Sequence, residues 1–534
     1  MLRVLLIRPP FVLPKSARLA NHGTPPLGVA YLAGTLKREG HQVTCIDAFG
    51  EKPQCFRSFG YDDLLINGLD KYEIAQRVPE DVDLIAVSCM FSNEWIYSRE
   101  VIREVHKRFP NVPVIAGGEH ITADTEQAFK DCPELSLVAL GEGENTIIEI
   151  ADALDNGKSL YGIPGTAYVD EFGQLQRGAD RGRIREISEL AWPSWEEMPL
   201  EAYLSRGLGY GCQGKRSMPM MASRGCPYEC TFCSNPSMWT RRWVARDVED
   251  VIAELKFYIE RYQIEHFDFY DLTAIIRKDW TLEFCRRLIE EDLGLTWALP
   301  SGTRSEALTP EVLQALRASG CLKINYAPES GSETTLKRIK KSAKLEKMVP
   351  SMRASVKAGM LTRAHILTGL PDQTKYEVWE NFKFAAKLAF IGVHDIGSFA
   401  FVPYPGSELF RRLVKEGKIK RDDEYLSFLS MNVGNNPNVQ SWSQHISDRQ
   451  MPYLLYGLVM WFYALQFLFR PWRVAVLAYR IAKRRPMTTI EIILSEIIVD
   501  TFTGRRSGKN QSIEQSTTIE ASTAPESGRA TVHS

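Results

Sequence analysis

Apolar and polar positions alternate in two distinct blocks along this chain of 534 residues. In the first, short apolar runs at Val4–Arg8, Gln42–Asp47, Leu84–Cys89, Val114–Ala116 and Leu135–Leu140 predict strands. Between them, Leu27–Glu39, Ser98–Phe109 and Thr146–Leu154 carry the 3.6-residue periodicity of amphipathic helices. Strands separated by helices of that length require right-handed crossovers, so residues 1–155 read as a doubly wound parallel sheet of Rossmann-like type. Ligands of such sheets bind beyond the carboxyl ends of the strands. Here those ends include Cys89-Met90-Phe91, Gly117-Gly118-Glu119-His120 and Gly141-Glu142-Gly143-Glu144. The glycines either make tight turns or let backbone approach a bulky ligand.

The periodicity weakens over 156–216, which reads as a linker with a small hairpin around Asp170-Glu171-Phe172-Gly173. It resumes over 217–415. Strands are expected at Met218–Ser223, His266–Tyr270, Thr296–Pro300, Leu322–Ala327, Ala364–Leu367 and Ser398–Val402. Helices are expected at Val248–Tyr262, Trp280–Glu290, Pro310–Ser319, Met348–Ala358 and Glu377–Leu388. Six βα units fall short of the eight of a closed barrel and predict a partial (β/α)6 barrel, with its chemistry at the C-terminal strand ends. Residues 416–505 read as a helical, apolar extension. Within it Met451–Phe469 is free of charge, and Arg470, Arg473, Arg480, Lys483, Arg484 and Arg485 follow. The Ser/Thr/Glu-rich tail 506–534 reads as disordered.

Composition narrows the chemistry. The net charge is −1, from 65 basic and 66 acidic residues, so no nucleic-acid partner is expected. Ten cysteines are too few for a disulfide scaffold, and the N-terminus lacks the long apolar region of a signal peptide. A cytosolic location is the expectation, where clustered cysteines point to metal or catalysis.

Such a cluster stands just after the first strand of the second block: Arg224-Gly225-Cys226-Pro227-Tyr228-Glu229-Cys230-Thr231-Phe232-Cys233-Ser234, a C-x3-C-x2-C loop with no fourth cysteine nearby. Structural zinc takes four closed ligands, whereas three thiolates on a tight loop leave one iron of a cubane open, as a catalytic metal requires. Cys226, Cys230 and Cys233 are therefore the candidate cluster ligands.

This loop, followed by a six-unit barrel, resembles the radical S-adenosylmethionine (SAM) superfamily. The resemblance implies a 4Fe–4S cluster whose open iron chelates SAM, and reductive cleavage of SAM to a 5′-deoxyadenosyl radical. It further implies SAM contacts from Phe232, Asp271, Arg304, Glu329, Ser330 and Gly369. Glu329-Ser330-Gly331-Ser332 is similar to the family's ribose-contacting segment, and Thr368-Gly369-Leu370-Pro371 to its glycine turn beside adenine. Only Asp271 stands where paired acids are usual, and Arg304 is either a carboxylate partner or a rim arginine.

The first block, with Thr24-Pro25-Pro26-Leu27-Gly28 and the two glycine-bearing ends, is similar to the cobalamin-binding class of that superfamily. This implies cobalamin contacts from Gly28, Ser88, Gly117, Gly118, Glu142, Gly143 and Glu144. The D-x-H-x-x-G motif that supplies a histidine to cobalt is absent. The domain order matches the magnesium-protoporphyrin monomethyl ester cyclase and hopanoid methylase group. The leading expectation is C-methylation of an unactivated carbon on a large hydrophobic substrate (a tetrapyrrole, polycyclic lipid or natural product), with a flavodoxin or ferredoxin as electron donor. An oxidative cyclase is the alternative. A non-catalytic iron–sulfur or cobalamin sensor is the alternative of another class, and a tRNA methylthiotransferase would need further clustered cysteines. For 451–485 three readings stay open: an element lying on the inner face of the membrane, a cap helix buried on the barrel, or a span. Nineteen residues reach about 28 Å as a helix, barely a bilayer core.

Overall fold

The computed structural model describes residues 1–16, 23–211, 214–432, 439–483 and 487–502. The tail 506–534, Cys212, and the basic residues Arg484 and Arg485 lie outside the described residues. The chain is α/β. A seven-stranded sheet runs in the order Gln42–Asp47, Arg3–Arg8, Leu84–Ser88, Val114–Gly117, Leu137–Ala139, Thr166–Val169, Leu175–Arg177. Its first five strands are parallel. The strand order reverses between Arg3–Arg8 and Leu84–Ser88, and a doubly wound sheet opens its ligand crevice at that point. The expected hairpin at Asp170–Gly173 forms, but it does not stand alone. Its strands continue the sheet antiparallel to Leu137–Ala139. A small antiparallel sheet of Phe11–Pro14, Phe56–Arg57 and Leu64–Asn67 also flanks this half.

Six parallel strands follow in sequential order: Ser217–Met220, His266–Phe269, Thr296–Thr303, Cys321–Glu329, Leu361–Thr368 and Asp395–Ala400. The first and sixth do not pair, so the barrel is open. Alternation sorts its side chains. Phe267, Phe269, Trp297, Ile324, Tyr326, Ala364, Ile366 and Ile396 join one buried cluster with the outer helices. Residues of the other parity face the interior.

The helix Met451–Phe469 lies against the last barrel helix, Lys375–Ile391, and the sixth strand. Its inner face buries Met451, Leu455, Leu458, Phe462, Tyr463 and Gln466. Tyr463 Oη donates to Asp395 Oδ1 at 2.7 Å, and Gln466 Nε2 donates to the carbonyls of Val393 and His394. Arg470 and Arg473 donate to the carbonyls of Ala389, Phe390, Gly392 and Val393, the free acceptors at a helix end. By length and composition this helix qualifies as a span, but its inner face carries the polar seam of a helix docked on the barrel.

Candidate active site

The cysteine loop begins where the first strand ends. Ser223–Arg224 pairs antiparallel with Val244–Ala245, so a two-residue ladder closes the segment carrying all three cysteines. Gly225 is obligatory at its start: φ is +86°, and a Cβ there would lie 2.1 Å from the carbonyl oxygen of Arg242. Asp271, at the end of the second strand, is buried and aimed at this loop. Its carboxylate accepts from Ser223 Oγ at 2.6 Å and Ala222 N at 3.1 Å. Burial outweighs those bonds and pushes its pKa up to about 6. Asp271 thus anchors the loop's entry.

Cys226, Cys230 and Cys233 are half-buried free thiols. Burial raises the Cys230 pKa and pushes that of Cys233 up to about 12. Without a bound cation the Cys230 and Cys233 thiols stay protonated, and a metal is what converts them to thiolates. Among the described residues, no three His, Cys, Asp or Glu donors converge on a single-ion position. A cubane spreads three thiolates over three irons and so does not require them to converge on one ion.

The mouth above the loop is charged and enclosed. Arg304 is 6% exposed, with its guanidinium 3.4 Å from the Tyr228 ring centroid and 2.7 Å from Glu306; it is no rim residue. Glu329 closes the fourth strand at φ +65°, a strained conformation for a residue with a Cβ. Its carboxylate meets buried Lys341 at 3.0 Å, and Lys341 lies 5.8 Å from the Phe232 ring. Arg304, Lys341 and Glu329 all act electrostatically on Cys230. Ser330 Oγ donates to Asn381 Oδ1 at 2.9 Å, and the Gly331 amide donates to the same oxygen at 2.7 Å. Gly369 N donates to Gln373 Oε1, while the Gly369 carbonyl accepts from Trp442 N. The C-terminal extension therefore covers this strand end.

The doubly wound sheet faces the same mouth. Ser88 pairs with Gly117 across adjacent strands. Gly118 has φ +121°, and a Cβ there would lie 2.6 Å from the Cys89 carbonyl oxygen. Gly28 opens onto free space. Glu119, the next residue after Gly118, accepts a hydrogen bond from Ser234, directly after Cys233. Glu142 and Glu144 are buried on Arg224: Glu142 lies 3.1 Å from Nη1, Glu144 2.6 Å from Nη2, and Arg183 Nε adds 2.6 Å to Glu142. Sequence reasoning missed this network, because Arg224 stands 80 or more residues from its partners. His120 is neither in a loop nor exposed: it sits in the helix Glu119–Ala123, 3% exposed, its Nδ1 2.9 Å from Ser92 Oγ and its ring against Trp95.

A cysteine-bearing loop at an open barrel mouth, fastened through buried ion pairs to the ligand edge of a doubly wound sheet, defines an enzyme that works with two cofactors at one chamber. A model of the radical SAM superfamily matches residues 220–385, and a model of the B12 binding domain matches residues 19–151. The chain is 31% identical over 77% of its length to an "uncharacterized methyltransferase" of Pyrococcus horikoshii, 82% of which is covered. It is 26% identical over 77% of its length to the anaerobic magnesium-protoporphyrin IX monomethyl ester cyclase of Rubrivivax gelatinosus, covering 70% of that protein. The solved structure of the radical SAM methyltransferase TsrM from Kitasatospora setae, with cobalamin and a 4Fe–4S cluster bound, shares the fold. Its TM-score is 0.59 at 18% identity, over 78% of this chain and 75% of that one. The chain belongs to the radical SAM superfamily, in the branch that carries a B12 binding domain, and is an enzyme. The cofactors of that branch are a 4Fe–4S cluster, SAM and cobalamin.

Proposed function

We propose that this enzyme methylates an unactivated carbon of a small-molecule substrate with a large hydrophobic body. The observation that carries the reading is the apposition of the two halves: Glu119–Ser234 and the Arg224 network set the glycine-bearing sheet edge against the cysteine loop. Cys226, Cys230 and Cys233 hold the cluster. Around its open corner, Phe232, Arg304, Glu329, Ser330 and Gly369 line the SAM site, Arg304 offering a buried cation to a carboxylate. Asp271 serves that site by fixing the loop. Gly28, Ser88, Gly117, Gly118 and Gly143 form the cobalamin cradle. The carboxylates of Glu142 and Glu144 are held by arginines, so these two residues meet cobalamin through backbone alone. When bound, the cofactors supply a hydrogen-abstracting 5′-deoxyadenosyl radical and a methyl group for carbon. The buried mouth excludes water that would quench a radical.

The cyclase likeness keeps oxidative ring formation as a second reading, and product analysis separates the two. Methyl transfer consumes SAM in two ways, giving S-adenosylhomocysteine and 5′-deoxyadenosine in about equal amounts. Anaerobic turnover of the reconstituted enzyme with a reductant is expected to give both. 5′-Deoxyadenosine alone favours the cyclase, and neither product removes both readings in favour of a sensor.

The outer face of Met451–Phe469 supports a cytoplasmic enzyme resting on the inner face of the membrane. Tyr453, Tyr456, Met460, Trp461 and Leu468 are exposed, and Trp472 and Tyr479 extend the patch along Trp472–Ala482, which buries no residue at all. An exposed helix face rich in Tyr and Trp and flanked by cations suits a lipid interface.

A further inference from the structure

The interior of the barrel, below the mouth, holds hydrogen-bonding groups that nothing above uses. Asn325 and Arg363 are register partners on the fourth and fifth strands, and His365 lies two residues further along the fifth. All three share the parity of the inner face, opposite to buried Ile324, Tyr326, Ala364 and Ile366. Among the described residues, each presents a buried polar atom that makes no hydrogen bond: Asn325 Oδ1, Arg363 Nε and His365 Nε2. Burying such atoms unpaired is unfavourable, so their co-location calls for a ligand.

The groups converge. A Cβ on Gly397, the register partner of His365, would lie 3.1 Å from Arg363 Nη2 and 2.5 Å from the Phe399 ring. The Phe399 ring also packs edge-on to His365 at 5.4 Å. Phe399 faces inward one residue before its strand ends and is 40% exposed. Asp395 forms an ion pair with Arg363 through Nε at 3.4 Å, and its oxygens also accept from Tyr463 Oη, Thr489 N and Thr489 Oγ. Burial first, then the cations Arg363, Lys323 and Lys341, lower the His365 pKa to about 3, so its ring is a neutral N–H donor. His365 and Arg363 stand three and five residues before Thr368, the strand end. That is roughly 10 and 17 Å deep, below the plane in which the mouth residues stand.

We propose that this chamber binds an acidic group of the substrate, a carboxylate, phosphate or phosphonate. Arg363 and His365 donate to its oxygens, Asn325 Oδ1 accepts from an adjacent substrate donor, and Phe399 packs on the apolar part. This deepens the methyl-transfer reading and rests on it for the term substrate: the guest is an apolar molecule with an anionic end, inserted acid first.

The test uses the full chain with its cofactors reconstituted and titrates decanoate, decylphosphonate and decan-1-ol calorimetrically. Both acids are expected to bind at least about tenfold more tightly than the alcohol. His365→Leu and Arg363→Met are each expected to cut that preference about tenfold, while His365→Gln, which keeps an N–H donor, retains most of it. Equal binding of acid and alcohol, or an unchanged preference in His365→Leu, overturns the proposal. If Arg363→Met does not fold, the two His365 variants decide. Which acid binds better separates carboxylate from phosphonate recognition. Formation of S-adenosylhomocysteine and 5′-deoxyadenosine is scored separately in the same preparations. Its absence from the wild type refutes methyl transfer, whereas a wild type that forms both products but shows no acid preference refutes only the acid subsite.

Discussion

Arg224 shows how one residue can join sheet, barrel and cluster loop. It directly precedes Gly225-Cys226, and its guanidinium is 4% exposed between Glu142 and Glu144. Removing it leaves buried Glu144 without its cation and Glu142 with Arg183 alone, and breaking a buried pair typically costs about 3–5 kcal/mol. Arg224→Met is therefore expected to lower the melting temperature by about 3–5 °C and to reduce iron retention. Calorimetry with iron analysis checks this, and a variant as stable as the parent contradicts the fastening role. Glu94 gives a pH signature at the crevice of the doubly wound sheet. Burial pushes its pKa up to about 7, against the opposing field of Arg8. Between about pH 4.5 and 7 the folded chain holds a proton that the unfolded chain releases, so stability falls as pH rises through that window. Glu94→Gln removes this term. Its stability relative to the parent should rise by up to about 3 kcal/mol from pH 4.5 to 7, read from melting curves against pH. A constant difference refutes the assignment.

At the scale of elements, legibility in the sequence followed local pattern. Val248–Tyr262 is a helix with the bounds its periodicity predicts, and the charge-free run Met451–Phe469 forms one helix. The sixth barrel strand runs Asp395–Ala400 instead of Ser398–Val402. The apolar run drew the expectation forward, because Asp395 reads as polar although it is buried on Tyr463 and Thr489. The ladder Ser223–Arg224 with Val244–Ala245 left no trace, since two-residue strands carry no period. The cysteine spacing was legible as chemistry; the partners of Asp271, Glu142 and Arg304 were not, because they come from other strand ends. Of the readings open for 451–485, the inner seam is that of a docked cap, and the exposed outer stripe is where the proposed membrane contact is tested. Co-flotation with phosphatidylglycerol vesicles, weaker with phosphatidylcholine, is the expected result. A Tyr453→Ser, Trp461→Ser, Leu468→Ser triple variant should lose it. Equal flotation of parent and variant, or none by either, removes the membrane contact.

At the scale of the whole molecule, the two parallel sheets matter because their ligand ends meet. Each alone follows the rule that ligands bind at the carboxyl ends of parallel strands. Only their apposition lets two cofactors act on one carbon, and it explains why buried ion pairs sit at that seam. The account depends on three thiolates leaving one iron free for SAM. Its most direct test is low-temperature electron paramagnetic resonance of the anaerobically prepared, reduced full chain, with metal analysis and with SAM added or omitted. Predicted are about four irons per chain, a reduced-cluster signal that changes on adding SAM, and loss of both in Cys230→Ala. Zinc in place of iron, or a cluster signal indifferent to SAM, would contradict it.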